Sequence, residues 1–244
     1  MAIRVRYRPG FGGLAMTVIT IAIFLKDTMT TQTPLTALQV MQDAPVIPVI
    51  VLNDVAHAVP MARALLAGGI RMLEVTLRTP QALACIEAIA REVPEVVVGA
   101  GTVRSRADAQ AAANAGARFA VSPGYTSTVG QACRDVGLAL LPGVATGGEI
   151  MAAGEDGFTE LKFFPAVQAG GVAMLKAWGG PFFDVRFCPT GGVTLQNAPD
   201  FLALSNVVCV GGSWLVPAST AEQGDWGRVT RLAAETGTLR SSGH

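Results

Sequence analysis

Histidine is nearly absent from this chain, and its scarcity restricts the available chemistry. The 244 residues include two histidines, His57 and the terminal His244. An imidazole-based zinc or iron centre is therefore hard to assemble, although counting alone leaves an all-carboxylate magnesium site open. Acid–base chemistry must fall to carboxylates or lysine. We expect His57 to lie on a helix in a structural or surface role.

Net charge is also absent, and cysteine is sparse. Eighteen basic residues balance eighteen acidic ones, and the one basic run is near the start, so a nucleic-acid partner is not expected. The four cysteines stand singly among apolar residues, without the spacing of a zinc site or the density of a disulfide scaffold. They are Cys85, Cys133, Cys188 and Cys209. We expect buried thiols in a reducing cytoplasm.

The first 28 residues are similar to a signal peptide but lack its ending. Arg4, Arg6 and Arg8 precede an apolar segment at residues 14–25, and no Ala-x-Ala-like cleavage site follows. This segment is also too short to span a bilayer. We therefore expect residues 1–28 to be an extension outside the fold, and residues 29–244 to form one domain without a membrane partner.

Apolar residues, in contrast, are abundant. Half of the chain is hydrophobic and the mean hydropathy is +0.44, which is ample for a large core. After a short N-terminal helix, eight β-branched runs alternate with alanine-rich and leucine-rich helical patterns, as in parallel βαβ units. The runs are residues 46–52, 72–77, 96–100, 118–121, 138–141, 160–164, 185–188 and 207–210. Eight units predict a closed (β/α)8 TIM barrel.

The alternative architecture is an open, doubly wound sheet. That fold usually has a glycine-rich loop after its first strand, whereas Asn53, Asp54 and Val55 follow here. Glycines instead follow several strands, as in the ring of loops around a barrel active site.

Lys162 is one of only three lysines and lies in the apolar run Leu-Lys-Phe-Phe-Pro. An ammonium group among apolar side chains loses hydration, which favours the free amine, a nucleophile toward carbonyl carbons. Alternation along a strand puts Lys162 on one face with Glu160 and Phe164. Lys162 could equally extend its amine to solvent or pair with a carboxylate such as Glu160.

The second predicted strand carries Glu74, Thr76 and Arg78 on one face. A carboxylate at mid-strand is costly unless it is paired or used. Glu74 could form a structural ion pair with Lys162 or transfer protons for Schiff-base chemistry. Arg78 could bind a substrate carboxylate or form a surface salt bridge. Thr102, after the third strand, could bind a carboxylate oxygen or belong to an ordinary turn.

Glycine pairs follow the last two predicted strands. Gly191 and Gly192 follow the seventh, and Gly211 and Gly212 lead into Ser213 after the eighth. Such loops commonly bind phosphate through backbone N–H groups, although they could also be two flexible turns. The paired occurrence favours a site for phosphate or another anion.

Five ordered motifs resemble those of the 2-keto-3-deoxy-6-phosphogluconate (KDPG) aldolase family, class I lyases whose members often also cleave 4-hydroxy-2-oxoglutarate. The motifs are EVTLRT at 74–79, GAGTV at 99–103, KFFPA at 162–166, RFCPTGG at 186–192 and GGSWLVP at 211–217. The resemblance runs from about residue 44 to about residue 231. It implies a cytoplasmic homotrimer without a metal or other cofactor, acting on a phosphorylated keto-deoxy sugar acid and releasing pyruvate.

The resemblance also implies roles for matching residues. Lys162 is similar to the Schiff-base lysine and Glu74 to the acid–base residue. The remaining matches imply substrate binding: Arg78, Thr102, Pro123 and Phe164 at the pyruvyl half, and Gly191, Gly192 and Ser213 at the phosphate. Some members carry a basic residue where this chain has Leu52-Asn53, so the phosphate end is expected to be less positive. The alternatives are a phosphosugar isomerase or epimerase and a non-catalytic phosphosugar-binding barrel.

Overall fold

The computed structural model describes residues 34–242. The expectation for residues 1–28 lies outside this range. Nine strands occur among the described residues, and every strand pairing between them is parallel. They are β1 Val46–Ile50, β2 Met72–Thr76, β3 Val97–Gly101, β4 Phe119–Val121, β5 Ala139–Leu141, β6 Gly143–Val144, β7 Glu160–Phe163, β8 Arg186–Pro189 and β9 Val210–Gly212.

Helices follow most strands, so the predicted α/β alternation is confirmed. The helices are α1 Ala37–Gln42, α2 Ala58–Ala67, α3 Ala82–Glu92, α4 Arg106–Asn114, α5 Ser127–Asp135, α6 Gly147–Glu155, α7 Gly171–Trp178, α8 Ala198–Leu202, α9 Ala218–Gln223 and α10 Trp226–Glu235. Several begin at the predicted type of N-cap: the side chains of Ser105, Thr126 and Thr146 accept from backbone N–H groups in the first turn. α1 is the predicted N-terminal helix.

The strands form two parallel sheets. One has the order β5-β4-β3-β2-β1-β9, and the other has the order β6-β7-β8. Only Pro142 separates β5 from β6 along the chain. On the other side, isolated parallel bridges join Phe187 to Val207 and Thr190 to Gly211, next to β8 and β9.

Most predicted strand ends differ from the observed ones by one or two residues, and the differences are larger at the last strand and at Gly143. The last strand begins at Val210 rather than Val207, because regular pairing with β1 starts at the Val46–Val210 pair. Residues 207–209 face β8 only through an isolated bridge. Gly143, which lies outside the predicted strands, pairs with Lys162 as part of β6. Glycine has no side chain, so strands that contain it do not show the alternation of apolar and polar residues by which a strand is predicted.

The two faces of the sheets enclose different cores. Leu73, Val75, Leu161 and Phe163 belong to the large cluster shared with the helices. The opposite face carries a smaller cluster, which α1 covers with Val40 and Met41. The strand residues of this inner cluster are Ile47, Phe119, Val121, Leu141 and Cys188. We call this side the inner face, and Lys162 lies on it because it pairs in register with Cys188.

Candidate active site

Lys162 is buried at the centre of the smaller sheet. Its side chain is 5% exposed, and its neighbours Leu161 and Phe163 face the helices. Its backbone N–H donates to the Pro142 carbonyl oxygen at 2.8 Å. The prediction of a lysine among apolar surroundings is confirmed, and the alternative of an amine extended to solvent is wrong.

Glu74 of β2 is the carboxylate that faces Lys162. The Lys162 Nζ and Glu74 Oε1 atoms are 3.7 Å apart, and the Glu74 side chain is 4% exposed. Glu160, the other possible partner, instead accepts a hydrogen bond from the Thr159 hydroxyl. Lys162 and Glu74 thus belong to different sheets, and their side chains approach each other on the inner face.

Burial governs the protonation of Glu74. Loss of hydration raises the pKa of this carboxyl from its ordinary value of 4.5, and the positive charges of Lys162 and Arg78 only partly oppose that effect. The Oε1 atom has no hydrogen-bond partner among the described residues. A carboxyl of raised pKa keeps its proton to a higher pH than usual and can then release it to a reacting group, as a general acid must.

A glycine leaves the space that Glu74 occupies. A Cβ atom placed on Gly101 would lie 1.9 Å from Glu74 Oε1, so a side chain at position 101 is incompatible with this carboxylate position. Thr76, which shares the face of Glu74, donates its hydroxyl to the Ile50 carbonyl oxygen at 2.9 Å. This bond ties β2 to β1 at the level of the site.

Phe164 lies beside the Lys162 amine, and Pro123 lies beside the strand residue that pairs with Lys162. The Lys162 Nζ atom is 5.1 Å from the centre of the Phe164 ring, a distance at which the ring attracts a cation. Gly143, the register partner of Lys162, lies directly against Pro123, since a Cβ atom at position 143 would be 2.5 Å from the Pro123 carbonyl carbon. Both residues are half-buried.

Arg78 and Thr102 meet at the carboxyl ends of β2 and β3. The Arg78 Nε atom donates to Thr102 Oγ1 at 3.4 Å, and Arg78 is exposed. Thr102 has a φ of +62°, unusual for a β-branched residue. Such strained conformations are often found at functional sites. Within the described residues Arg78 forms no salt bridge.

The loops after β8 and β9 line a cavity of about 760 Å³. Ser213 lines it, as do Thr194, Leu195 and Gln196 of the loop that follows Gly192. Gly191 and Gly192 have φ values of +102° and +74°, which suit glycine and little else. The two glycines are not themselves part of the cavity lining.

Helix α10 also contributes to this cavity, which was not predicted from the sequence. Arg228, Leu232 and Glu235 line its far side. Their spacing of four and three residues places them on one helix face, and this was the one available signal. The sequence does not reveal that this face turns toward the loop of Ser213.

Other expectations concern metals, thiols and membranes. Within residues 34–242, no group of three or more His, Cys, Asp or Glu residues is arranged to hold a metal ion. All four cysteines are buried and unbridged, as predicted. His57 ends a short 3-10 helix and lies edge-on to the Trp226 ring, in a structural position. None of the described helices is long and apolar enough to cross a bilayer.

Comparison with known proteins gives a consistent result. A family model for KDPG and KHG aldolases matches residues 38–232. KHG/KDPG aldolase of Escherichia coli K12 is 52% identical over 196 residues, which are 80% of this chain and 92% of the relative. KDPG denotes 2-keto-3-deoxy-6-phosphogluconate, and KHG denotes 4-hydroxy-2-oxoglutarate.

Comparison with solved structures gives the same family. KDPG aldolase of Legionella pneumophila, captured with pyruvate as a covalent carbinolamine intermediate, has a TM-score of 0.81 and 44% identity, with 83% of this chain and 98% of that chain covered. The Zymomonas mobilis ZM4 enzyme with 3-phosphoglycerate has a TM-score of 0.80 and 46% identity, with 83% and 95% covered. The fold is that of these aldolases. The chain belongs to the KDPG and KHG aldolase family, which is a family of lyases.

Proposed function

We propose that this protein is a class I aldolase that cleaves KDPG to pyruvate and glyceraldehyde 3-phosphate. We propose that it also cleaves 4-hydroxy-2-oxoglutarate to pyruvate and glyoxylate. The observation that carries the proposal is the buried pair of Lys162 and Glu74, with their reacting atoms 3.7 Å apart. A lysine amine beside a carboxyl of raised pKa combines the nucleophile and the proton donor that Schiff-base formation requires.

The reaction begins at Lys162. Its Nζ atom attacks the C2 ketone carbon of the substrate, and the carbonyl oxygen gains a proton to give a carbinolamine. Glu74 donates the proton with which that oxygen leaves as water, and a protonated imine remains. The Glu74 carboxylate then takes the proton of the C4 hydroxyl through a water molecule.

Cleavage follows from the imine. The C3–C4 bond breaks, its electron pair forms an enamine with the protonated imine as acceptor, and the aldehyde product leaves. Protonation of the enamine at C3 and hydrolysis of the imine release pyruvate and restore the amine. The carbinolamine of the Legionella pneumophila relative supports the first step.

The remaining residues bind the substrate at its two ends. Arg78 and Thr102 bind the carboxylate of the pyruvyl half, since the guanidinium and hydroxyl converge at one point. Phe164 and Pro123 surround the reacting carbon. Gly191, Gly192 and Ser213 bind the phosphate through backbone N–H groups and a hydroxyl, beside the cavity described above.

We further propose that the two sheets form one closed (β/α)8 barrel in a domain of residues 29–244. The single-residue step at Pro142 and the bridge between Thr190 and Gly211 support closure on both sides. The family likeness supports a cytoplasmic homotrimer that works without a cofactor, with residues 1–28 as an extension outside the barrel.

The sequence also leaves two other functions open. An isomerase or epimerase needs paired acid–base groups and no covalent lysine, and a binding protein would use Lys162 and Glu74 only as an ion pair. The missing hydrogen bond at Glu74 Oε1 favours the aldolase, because a structural pair would satisfy both partners.

Trapping with borohydride separates these functions. In the presence of pyruvate, borohydride should fix a pyruvyl adduct on the peptide that contains Lys162. Lys162→Ala should yield no adduct and no turnover, whereas Lys176→Ala, which removes an exposed lysine of α7, should behave as wild type. Near-normal cleavage by Lys162→Ala, or no adduct in wild type, would reject the proposal.

A further inference from the structure

The cavity beside Ser213 is mostly apolar and carries little charge. Val49, Leu195, Trp214 and Leu232 are among the described residues that line it. Among the described residues that line it, two are charged, Arg228 and Glu235, and each lies one turn of α10 from Leu232. Within residues 34–242, an anionic group that enters this cavity therefore meets one cationic side chain.

Register connects this cavity to the reacting pair. Val49 of β1 pairs with Glu74 of β2, and Pro48 pairs with Gly212, the residue before Ser213. Val49 lies two residues after Ile47 and so shares the inner face with it. The cavity thus begins one strand away from the acid–base carboxylate and extends toward α10.

The Arg228 side chain is available to a ligand. Its guanidinium forms no ion pair or hydrogen bond within residues 34–242, and the residue is exposed. The backbone N–H of Arg228 is held by the N-cap residue Asp225, with a bond of 3.0 Å to its carboxylate. The backbone of Arg228 is therefore held in place, while its guanidinium lies at the cavity and has no partner within residues 34–242.

No basic side chain is supplied by the first strand end. Residues 51–53 are Val, Leu and Asn, and Val51 lines the cavity with an apolar surface. Backbone N–H groups and the Ser213 hydroxyl can hydrogen-bond a phosphate, but they do not neutralise its charge. A guanidinium matches phosphate oxygens with two parallel hydrogen bonds and supplies the missing charge.

We propose that Arg228 is a specificity-determining residue that binds the terminal phosphate of the sugar-acid substrate across this cavity. This inference rests on the proposed function and adds a residue from α10 to the phosphate end. Glu235 lines the same cavity and repels an anion, so it limits the affinity that Arg228 provides.

The experiment compares substrates with and without a phosphate. KDPG carries the group and 4-hydroxy-2-oxoglutarate does not, so only the first should respond to Arg228. Arg228→Gln should raise KM for KDPG by about tenfold, the effect of losing an exposed charge-assisted hydrogen bond, and leave kcat nearly unchanged. KM for 4-hydroxy-2-oxoglutarate should change less than about twofold.

Matched variants control for charge and helix structure. Arg231→Gln removes the same charge from an exposed position of α10 that does not line the cavity, and it should leave both KM values unchanged. Glu235→Gln should lower KM for KDPG by about twofold to threefold, because a repulsive charge is removed. Added salt should raise the wild-type KM for KDPG more than that of Arg228→Gln.

The inference is overturned if Arg228→Gln and Arg231→Gln give the same ratio of the two KM values as wild type. Equal increases for both substrates would also overturn it, because they indicate a structural role. Calorimetric titration with glycerol 3-phosphate gives a second readout that needs no turnover. If wild type fails to form a pyruvyl adduct, the proposed function fails, and this titration still decides whether Arg228 binds a phosphate.

Discussion

Glu74 occupies the space that Gly101 leaves by having no side chain. A Cβ atom on Gly101 would stand 1.9 Å from Glu74 Oε1, and the φ of Gly101 does not itself require glycine. The glycine at position 101 is therefore required by the carboxylate rather than by the backbone. It allows Oε1 to lie 3.7 Å from the amine of Lys162.

Gly101→Ala should displace the Glu74 carboxylate and lower kcat by about 100-fold, the scale of a misplacement near 1 Å in an active site. Steady-state cleavage of KDPG with coupled pyruvate detection would measure the loss. Gly124→Ala is the matched control, since a Cβ atom there meets no atom within 4 Å. Normal kcat in Gly101→Ala would contradict the assignment of Glu74.

Glu74→Gln should slow the proton-transfer steps while the fold is kept, because the amide retains the shape of the carboxyl. General acid–base groups contribute about 100-fold to 10,000-fold, and kcat should fall within that range. Borohydride should still trap some pyruvate on Lys162, since the nucleophile remains. An unchanged kcat would assign Glu74 a structural role.

Glu74 should also make stability depend on pH. Its folded pKa lies above the ordinary 4.5, so above pH 4.5 the unfolded chain loses this proton before the folded chain does. Its contribution is therefore fully present below pH 4.5 and is lost as pH rises toward the folded pKa. Urea unfolding should show wild type losing stability relative to Glu74→Gln over this window, and parallel curves would contradict the prediction.

The cysteines should be inert in the folded protein. Burial raises the pKa of the Cys85 and Cys133 thiols to about 11, so the reactive thiolate is scarce at neutral pH. A colourimetric thiol reagent at pH 8 should label the native protein slowly and all four residues after urea denaturation. Rapid labelling of native Cys85 or Cys133 would show that these thiols are accessible.

The lysine–carboxylate pair could be predicted because each residue violates its local pattern. A charge at mid-strand among apolar neighbours is costly, so Glu74 and Lys162 were expected to form an ion pair or to take part in catalysis. The alternation of side chains along a strand predicted which face of the sheet each one occupies. The parallel α/β class followed from the same periodicity. Neither inference needed information about distant parts of the chain.

Other features depend on contacts that are distant in sequence. Pro142 divides what was predicted as one strand and its following loop into β5 and β6. Glycines hide that β9 continues to Gly212. The left-handed backbone of Thr102 has no local signal, since threonine rarely adopts it. The position of Arg228 required knowing which side of α10 turns toward the loop after β9.

The nucleophile and its proton donor belong to separate hydrogen-bonded ladders, Lys162 to β6-β7-β8 and Glu74 to the six-stranded sheet. No backbone ladder fixes their separation directly. Activity therefore depends on the relative position of the two sheets. A mutation far from either residue can abolish activity by shifting one sheet relative to the other, even when every helix stays folded.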